Sequence, residues 1–274
     1  MDRADAKPST LRLRIISASV MAPVALAAVW LGGWWLSALV LLVTLGMCWE
    51  WARLATGGGF GATGAATAVT GVISVGALLW GVDLGAAFAL AFAGSVVVLV
   101  VAASSRVAEP LWAAGGALWV CLGTAAFLWL ALAGGRGTLF WLLGVVWATD
   151  IGAYAAGRSI GGPKLAPRLS PNKTWSGLAG GVASAALVGL VAAWLSGAPA
   201  IALTLVSAGL AVVAQFGDLA ESLAKRHFRV KDSSNLIPGH GGLLDRLDGL
   251  LAASVATGLA ALVIGSSHGP VHWQ

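Results

Sequence analysis

Acidic and basic side chains crowd into one stretch of this chain, Gln215 to Asp248, which reads QFGDLAESLAKRHFRVKDSSNLIPGHGGLLDRLD. Five of the chain's 11 acidic residues lie there: Asp218, Glu221, Asp232, Asp245 and Asp248. Lys225, Arg226, Arg229, Lys231, Arg246 and His240 accompany them. On a helix, Asp218, Glu221, Ser222 and Lys225 share one face. Asp245 and Asp248 share another, at the opening of the next apolar run. Paired carboxylates are hard oxygen ligands that suit Mg²⁺, which binds through a few carboxylates plus substrate phosphates. Lys225, Arg226 and Lys231 supply countercharge for phosphate. The turn Pro238-Gly239-His240-Gly241-Gly242 lets backbone approach a ligand closely, and its N–H groups can form an anion nest before a helix. Three roles stay open for His240: a phosphate contact, a proton carrier, or a hydrogen bond that holds the turn. Asp245 and Asp248 could instead pair with Arg246 or Lys231, as interfacial residues often do.

A second, smaller constellation precedes it. Asp150 sits inside an apolar run, in WATDIGAYAAGR, with Tyr154 one turn on. An acid in such a run is costly and therefore a functional candidate; a bond to Thr149 or Tyr154 is the structural alternative. The connection that follows ends in Ser170-Pro171-Asn172-Lys173-Thr174, just before another apolar run. Hydroxyls and a lysine at a helix start make a phosphate seat, although ordinary N-capping uses the same residues.

These charges need a scaffold that can hold them, and the composition says which kind. Of the 274 residues, 58% are hydrophobic and 10% charged, and the mean hydropathy is +0.88. That excludes an ordinary soluble domain and indicates a polytopic membrane protein. Only helices or closed barrels satisfy the backbone in lipid, and apolar runs of about 20 residues predict an all-α fold. Nine runs are legible, near 14–31, 34–53, 63–82, 84–104, 111–133, 138–157, 175–195, 199–222 and 247–265. With the N-terminus in the cytoplasm, nine crossings place 15 of the 16 Lys and Arg residues inside and only Arg136 outside, as the positive-inside rule requires. Both charged connections then face the cytoplasm. The net charge of +5 is spread over these connections, so it marks topology at a lipid bilayer and not a nucleic-acid partner. Cys48 and Cys121 lie inside apolar runs and read as small core residues. Glu50, between Trp49 and Trp51, has Arg53 as its nearest candidate partner. The chain divides by chemistry into residues 1–137, a scaffold with a possible dimer contact, and 138–274, which carry the charged loops.

Ser222 to Asp248 resembles the signature of the phosphatidate cytidylyltransferase family, the CDP-diacylglycerol synthases. The order is Ser-x-x-Lys-Arg, four residues, Lys-Asp, then Pro-x-His-Gly-Gly-x-x-Asp-Arg-x-Asp. Ala224 departs from it, standing where the family usually has a larger apolar residue. The lead Gln215-x-Gly217-Asp218, the D-x-G-A-Y stretch from Asp150, the S-P-N-K-T stretch from Ser170 and Leu11-x-x-Arg14-Ile15 are similar to the family's as well, so the likeness spans the chain.

The resemblance implies that the phosphate of phosphatidic acid attacks the α-phosphorus of CTP, giving CDP-diacylglycerol and pyrophosphate at the cytoplasmic face of the cell (inner) membrane. It implies that Asp218 and Asp245 hold Mg²⁺, alone or with a second cation, with Asp248 close by. Lys225, Arg226, Lys231 and His240 are then expected at the reacting phosphates, and Asp150, Ser170, Asn172, Lys173, Thr174 and Arg246 at the nucleotide. A homodimer is expected. Two rivals share the residues: a CTP-dependent lipid kinase of the polyprenol type, or an ether-lipid cytidylyltransferase. A transporter using Asp150, Asp218 and Glu50 would place its acids near the membrane midplane within an inverted repeat, and no repeat is evident.

Overall fold

The computed structural model describes residues 10–265. Arg3, Lys7 and the tail beyond Gly265 lie outside the described residues, as do the side chains of Leu11, Arg12, Arg14 and Ile15. Eight helices follow in order: α1 (Thr10–Leu31), α2 (Gly33–Ala55), α3 (Gly61–Gly76, extended by a 3₁₀ turn to Trp80), α4 (Leu84–Ser104), α5 (Pro110–Ser159), α6 (Trp175–Ser196), α7 (Ala200–His227) and α8 (Leu244–Ile264). Seven of them are long and apolar enough to cross a membrane, and Ile16–Leu31 of α1 is a shorter apolar helix. The only strands among the described residues are β1 (Lys164–Ala166) and β2 (Ser170–Thr174), an antiparallel hairpin between α5 and α6.

At 50 residues α5 is far too long for one crossing, and it is not straight. Gly135 has φ 70° and ψ −173°, a conformation that a side chain would strain, and it divides the run into two arms. The arms double back, because both ends of α5 meet the same end of α7. Trp112 near the start stacks on His227 with ring centroids 4.4 Å apart, while Asp150 near the end lines a cleft with Asp218. The described chain therefore holds nine helical segments, each matching one of the nine apolar runs.

Lipid tails are as apolar as leucine, so helices in a membrane associate through close packing, and small residues make that possible. The second arm of α5, then α6, α7 and α8 meet in sequence at such points. A Cβ on Gly180 would lie 2.3 Å from the Cβ of Ala156 and 2.8 Å from the carbonyl of Gly152. One on Gly217 would meet the Asp248 carbonyl at 2.8 Å. The glycine at 217 thus sets how near the acids of α7 come to those of α8. Trp141 adds a polar tie, donating from its indole to Ser207 at 2.9 Å across α5 and α7.

The ends of the helices are not alike. Exposed Trp30, Trp34, Trp35, Trp80 and Trp194 gather at the α1–α2, α3–α4 and α6–α7 turns, as interfacial tryptophans do. Arg136 belongs to this end, its guanidinium 5.2 Å from the Trp30 ring. The other end carries the hairpin, the 228–243 loop and nearly all remaining charge.

Candidate active site

The charged end is built from four contributions: the close of α5, the β-hairpin, the close of α7, and the opening of α8 with its preceding loop. A polar cleft of about 210 Å³ is lined by Asp150, Tyr154, Asn172, Lys173, Thr174, Gln215 and Asp218. The two sequence constellations, more than 40 residues apart, thus meet in one place. Lys173 joins them directly, with its Nζ 2.7 Å from Asp218 Oδ2. Ser222 donates to the other Asp218 oxygen at 3.4 Å, one helical turn on.

Behind this pair lies a second, more buried one. Lys225 Nζ stands 2.6 Å from Asp245 Oδ1 and 3.1 Å from Glu221 Oε2. Asp245 is therefore partnered by neither Arg246 nor Lys231. Its Oδ2 accepts from the backbone N–H groups of Ser233 and Gly242, each at 2.8 Å, and from the Ser233 hydroxyl at 2.9 Å. So Asp245 closes the loop onto the start of α8, where an anion also complements the helix dipole. Asp248 accepts from the backbone N–H of Gly249 at 2.6 Å and is paired through its side chain with Glu221 of α7. It interacts electrostatically with Asp218, Glu221 and Asp150, while Asp150 also feels Lys173 and Arg246. The remaining oxygen of Glu221, Oε1, is buried with no hydrogen-bond donor.

Other expected residues take humbler positions. Thr174 is the N-cap of α6, its hydroxyl accepting from Gly177 N–H at 3.0 Å, and Ser170 opens strand β2. Ser176 donates to the Gly161 carbonyl, tying the connection after α5 to the start of α6. The His240 ring approaches the Ser17 hydroxyl of α1 at 2.7 Å, and its carbonyl accepts from Arg246 Nε at 2.9 Å. His240 and Arg246 thus brace the glycine-rich turn. Arg226 and Lys231 are exposed at the rim. Thr149 spends its hydroxyl proton on the Val145 carbonyl, and the Tyr154 hydroxyl accepts from Arg158.

Glu50 is where the structure departs from the sequence. Arg53 lies over the Trp49 ring and not on Glu50. Fully buried in α2, Glu50 accepts from Ser234 Oγ at 2.6 Å, Leu243 N–H at 2.8 Å and Leu244 N–H at 2.9 Å. Ser233 Oγ adds a longer bond at 3.4 Å. A carboxylate from the first half of the chain thus pins the 233–244 loop. Its signal in the sequence was a lone acid in an apolar run; its partners, 183 to 194 residues away, left none.

Among the described residues no three His, Cys, Asp or Glu side chains stand together as a formed metal cluster. The donors at hand nonetheless suit a hard cation. Asp150, Asp218, Glu221 and Asp248 crowd like charges together, and the orphaned Glu221 oxygen is what a cation would satisfy.

The chain is similar to known proteins over most of its length. A protein of Brucella suis named phosphatidate cytidylyltransferase is 41% identical over 262 residues, covering 90% of this chain and 91% of its own. One of that name from Pseudomonas aeruginosa is 37% identical over 258 residues, 89% of this chain and 94% of its own. A Bacillus subtilis protein, again so named, is 47% identical over 115 residues, 41% of this chain and 43% of its own. The profile of the cytidylyltransferase family matches residues 12–263, from the start of α1 to the last turn of α8, and the chain belongs to that family.

Proposed function

We propose that this protein transfers the cytidylyl group of CTP to phosphatidic acid. A phosphate oxygen of the lipid bonds to the α-phosphorus of CTP. The bond from that phosphorus to the bridging oxygen breaks, and pyrophosphate leaves with the electron pair. The observation that carries the reading is the Lys173–Asp218 contact, which brings both sequence constellations into one cleft at one end of the helices. Two polyanions must meet there, so the work of the protein is positioning and charge. Lys173, on the hairpin, is a cation in the wall of the cleft, and incoming phosphate competes with Asp218 for it. Lys225 is held between Glu221 and Asp245 and offsets part of the negative charge of the deeper wall. Asn172, Arg226, Lys231 and Arg246 lie within the same charged end as further phosphate contacts.

Mg²⁺, alone or with a second cation, would be held by Asp218 and Asp248, with the Glu221 oxygen and Asp245 adjoining, and would neutralise charge on the phosphates and the leaving group. The side-chain chemistry of the chain supports this.

We place the site on the cytoplasmic face of the inner membrane, with nine crossings and the N-terminus inside. The distribution of Lys and Arg supports that orientation, and the tryptophan-lined turns beside Arg136 fit the opposite face. A homodimer is proposed through the first half of the chain.

The test is the fate of label in purified protein given phosphatidic acid, Mg²⁺ and CTP. Label at the α-phosphorus should enter the lipid, with pyrophosphate formed in equal amount. Label entering the lipid from the γ-position, with CDP released, would instead identify a lipid kinase and overturn the assignment.

A further inference from the structure

Beside the polar cleft lies a second cavity, of about 170 Å³, enclosed by α1, α2, both arms of α5 and α8. Ala25, Val29, Val43, Phe127, Val146 and Leu250 are among its walls. Its two hydroxyls are spent elsewhere: Thr124 donates to the Val120 carbonyl at 2.8 Å and Ser254 to the Leu250 carbonyl at 2.7 Å. The interior is therefore apolar. Among the described residues, charge appears only where Asp150 and Arg246 border it, and Asp150 is also a wall of the polar cleft. A single ligand spanning the two would need an anionic head on one side of Asp150 and a hydrocarbon on the other, with Arg246 beside the head.

We propose that this cavity holds the head-proximal segment of one acyl chain of the lipid substrate. The inference rests on the cytidylyl-transfer reading. Its size is close to that of an apolar cavity that takes a six-carbon guest, so it takes part of a chain and leaves the rest in the bilayer. Moving a chain from lipid to this cavity gains little from the hydrophobic effect, because both are apolar. What the cavity supplies is position: it holds the chain so that the phosphate of that lipid lies against Lys173 and Arg246. On this account α1 and α2 are substrate-binding elements as well as scaffold.

The experiment compares water-soluble dibutanoyl and dioctanoyl phosphatidate, which avoids competition with a bilayer. Wild-type protein should favour the longer lipid in kcat/KM. Ala25→Trp and Val43→Trp fill the cavity from two helices and should each lower that preference by about tenfold, the scale of a few methylenes in an apolar pocket. Val97→Trp, outward-facing on α4, should leave it unchanged. An unchanged preference in both cavity variants would overturn the proposal. A second measurement needs no variant: wild-type protein is photolysed with phosphatidate carrying a diazirine early in its acyl chain. Adducts on α1, α2 or α8 residues of the cavity support the site, and adducts confined to lipid-facing α4 or α6 contradict it. If wild-type protein turned over no phosphatidate at all, the functional reading itself would fail, which neither result mimics.

Discussion

Asp218 and Lys225 show how much depends on single side chains here. Asp218→Asn keeps the shape of the residue but loses the charge that holds Lys173, so turnover should fall by about a hundredfold or more while the folded yield is kept. Lys225→Met should behave differently. It leaves Glu221 and Asp245 buried without their shared cation, an arrangement that costs about 3–5 kcal/mol. Thermal stability should therefore drop together with turnover, which a melting curve in detergent would show. Glu50→Gln removes one of two oxygens that accept from Leu243, Leu244 and the loop serines. An unmatched group there costs about 1–3 kcal/mol, so we expect partial activity and a lower melting temperature. Residue types announced Asp218, Lys173 and Asp150 because charges in apolar surroundings need a reason. The pairings were not legible. Lys173 with Asp218 and Glu50 with residues 243 and 244 depend on helix packing, which no local spacing encodes.

The elements were easier to read than their contacts. Apolar runs long enough for a bilayer gave each helical segment, because length and hydropathy are both local quantities. The hairpin of 164–174 was not anticipated, since strands of three and five residues carry no period to distinguish them from a loop. The turn at Gly134, Gly135, Arg136 and Gly137 was legible as the gap between the runs at 111–133 and 138–157, and the structure breaks α5 there, at Gly135. The packing of α5 on α6 rests on missing side chains. Gly180→Val would drive a branched side chain into Ala156 and the Gly152 backbone. Carbonyls cannot move aside as a flexible side chain can, so the hairpin and Lys173 should shift from Asp218, with loss of both folded yield and turnover. Near-normal yield and activity would show that α5 and α6 need not approach this closely.

At the scale of the whole molecule, the two ends divide the work. One end has exposed tryptophans and Arg136; the other gathers acids, lysines and the glycine-rich turn. A membrane-impermeant thiol reagent on intact cells should spare a cysteine placed at Asp232 and label one placed at Gly81, if the charged end faces the cytoplasm. Fold class was legible from composition and the length of the apolar runs, while the meeting of sequence-distant constellations required the folded chain. The central claim is that the cleft between the hairpin and α7 carries out cytidylyl transfer. The most direct measurement is single-turnover conversion of α-labelled CTP and phosphatidic acid by folded wild-type protein and Asp218→Asn, side by side. The wild type should give labelled CDP-lipid and pyrophosphate, and the variant almost none. Equal conversion by both would contradict the central claim, because the chemistry would then lie outside this cleft.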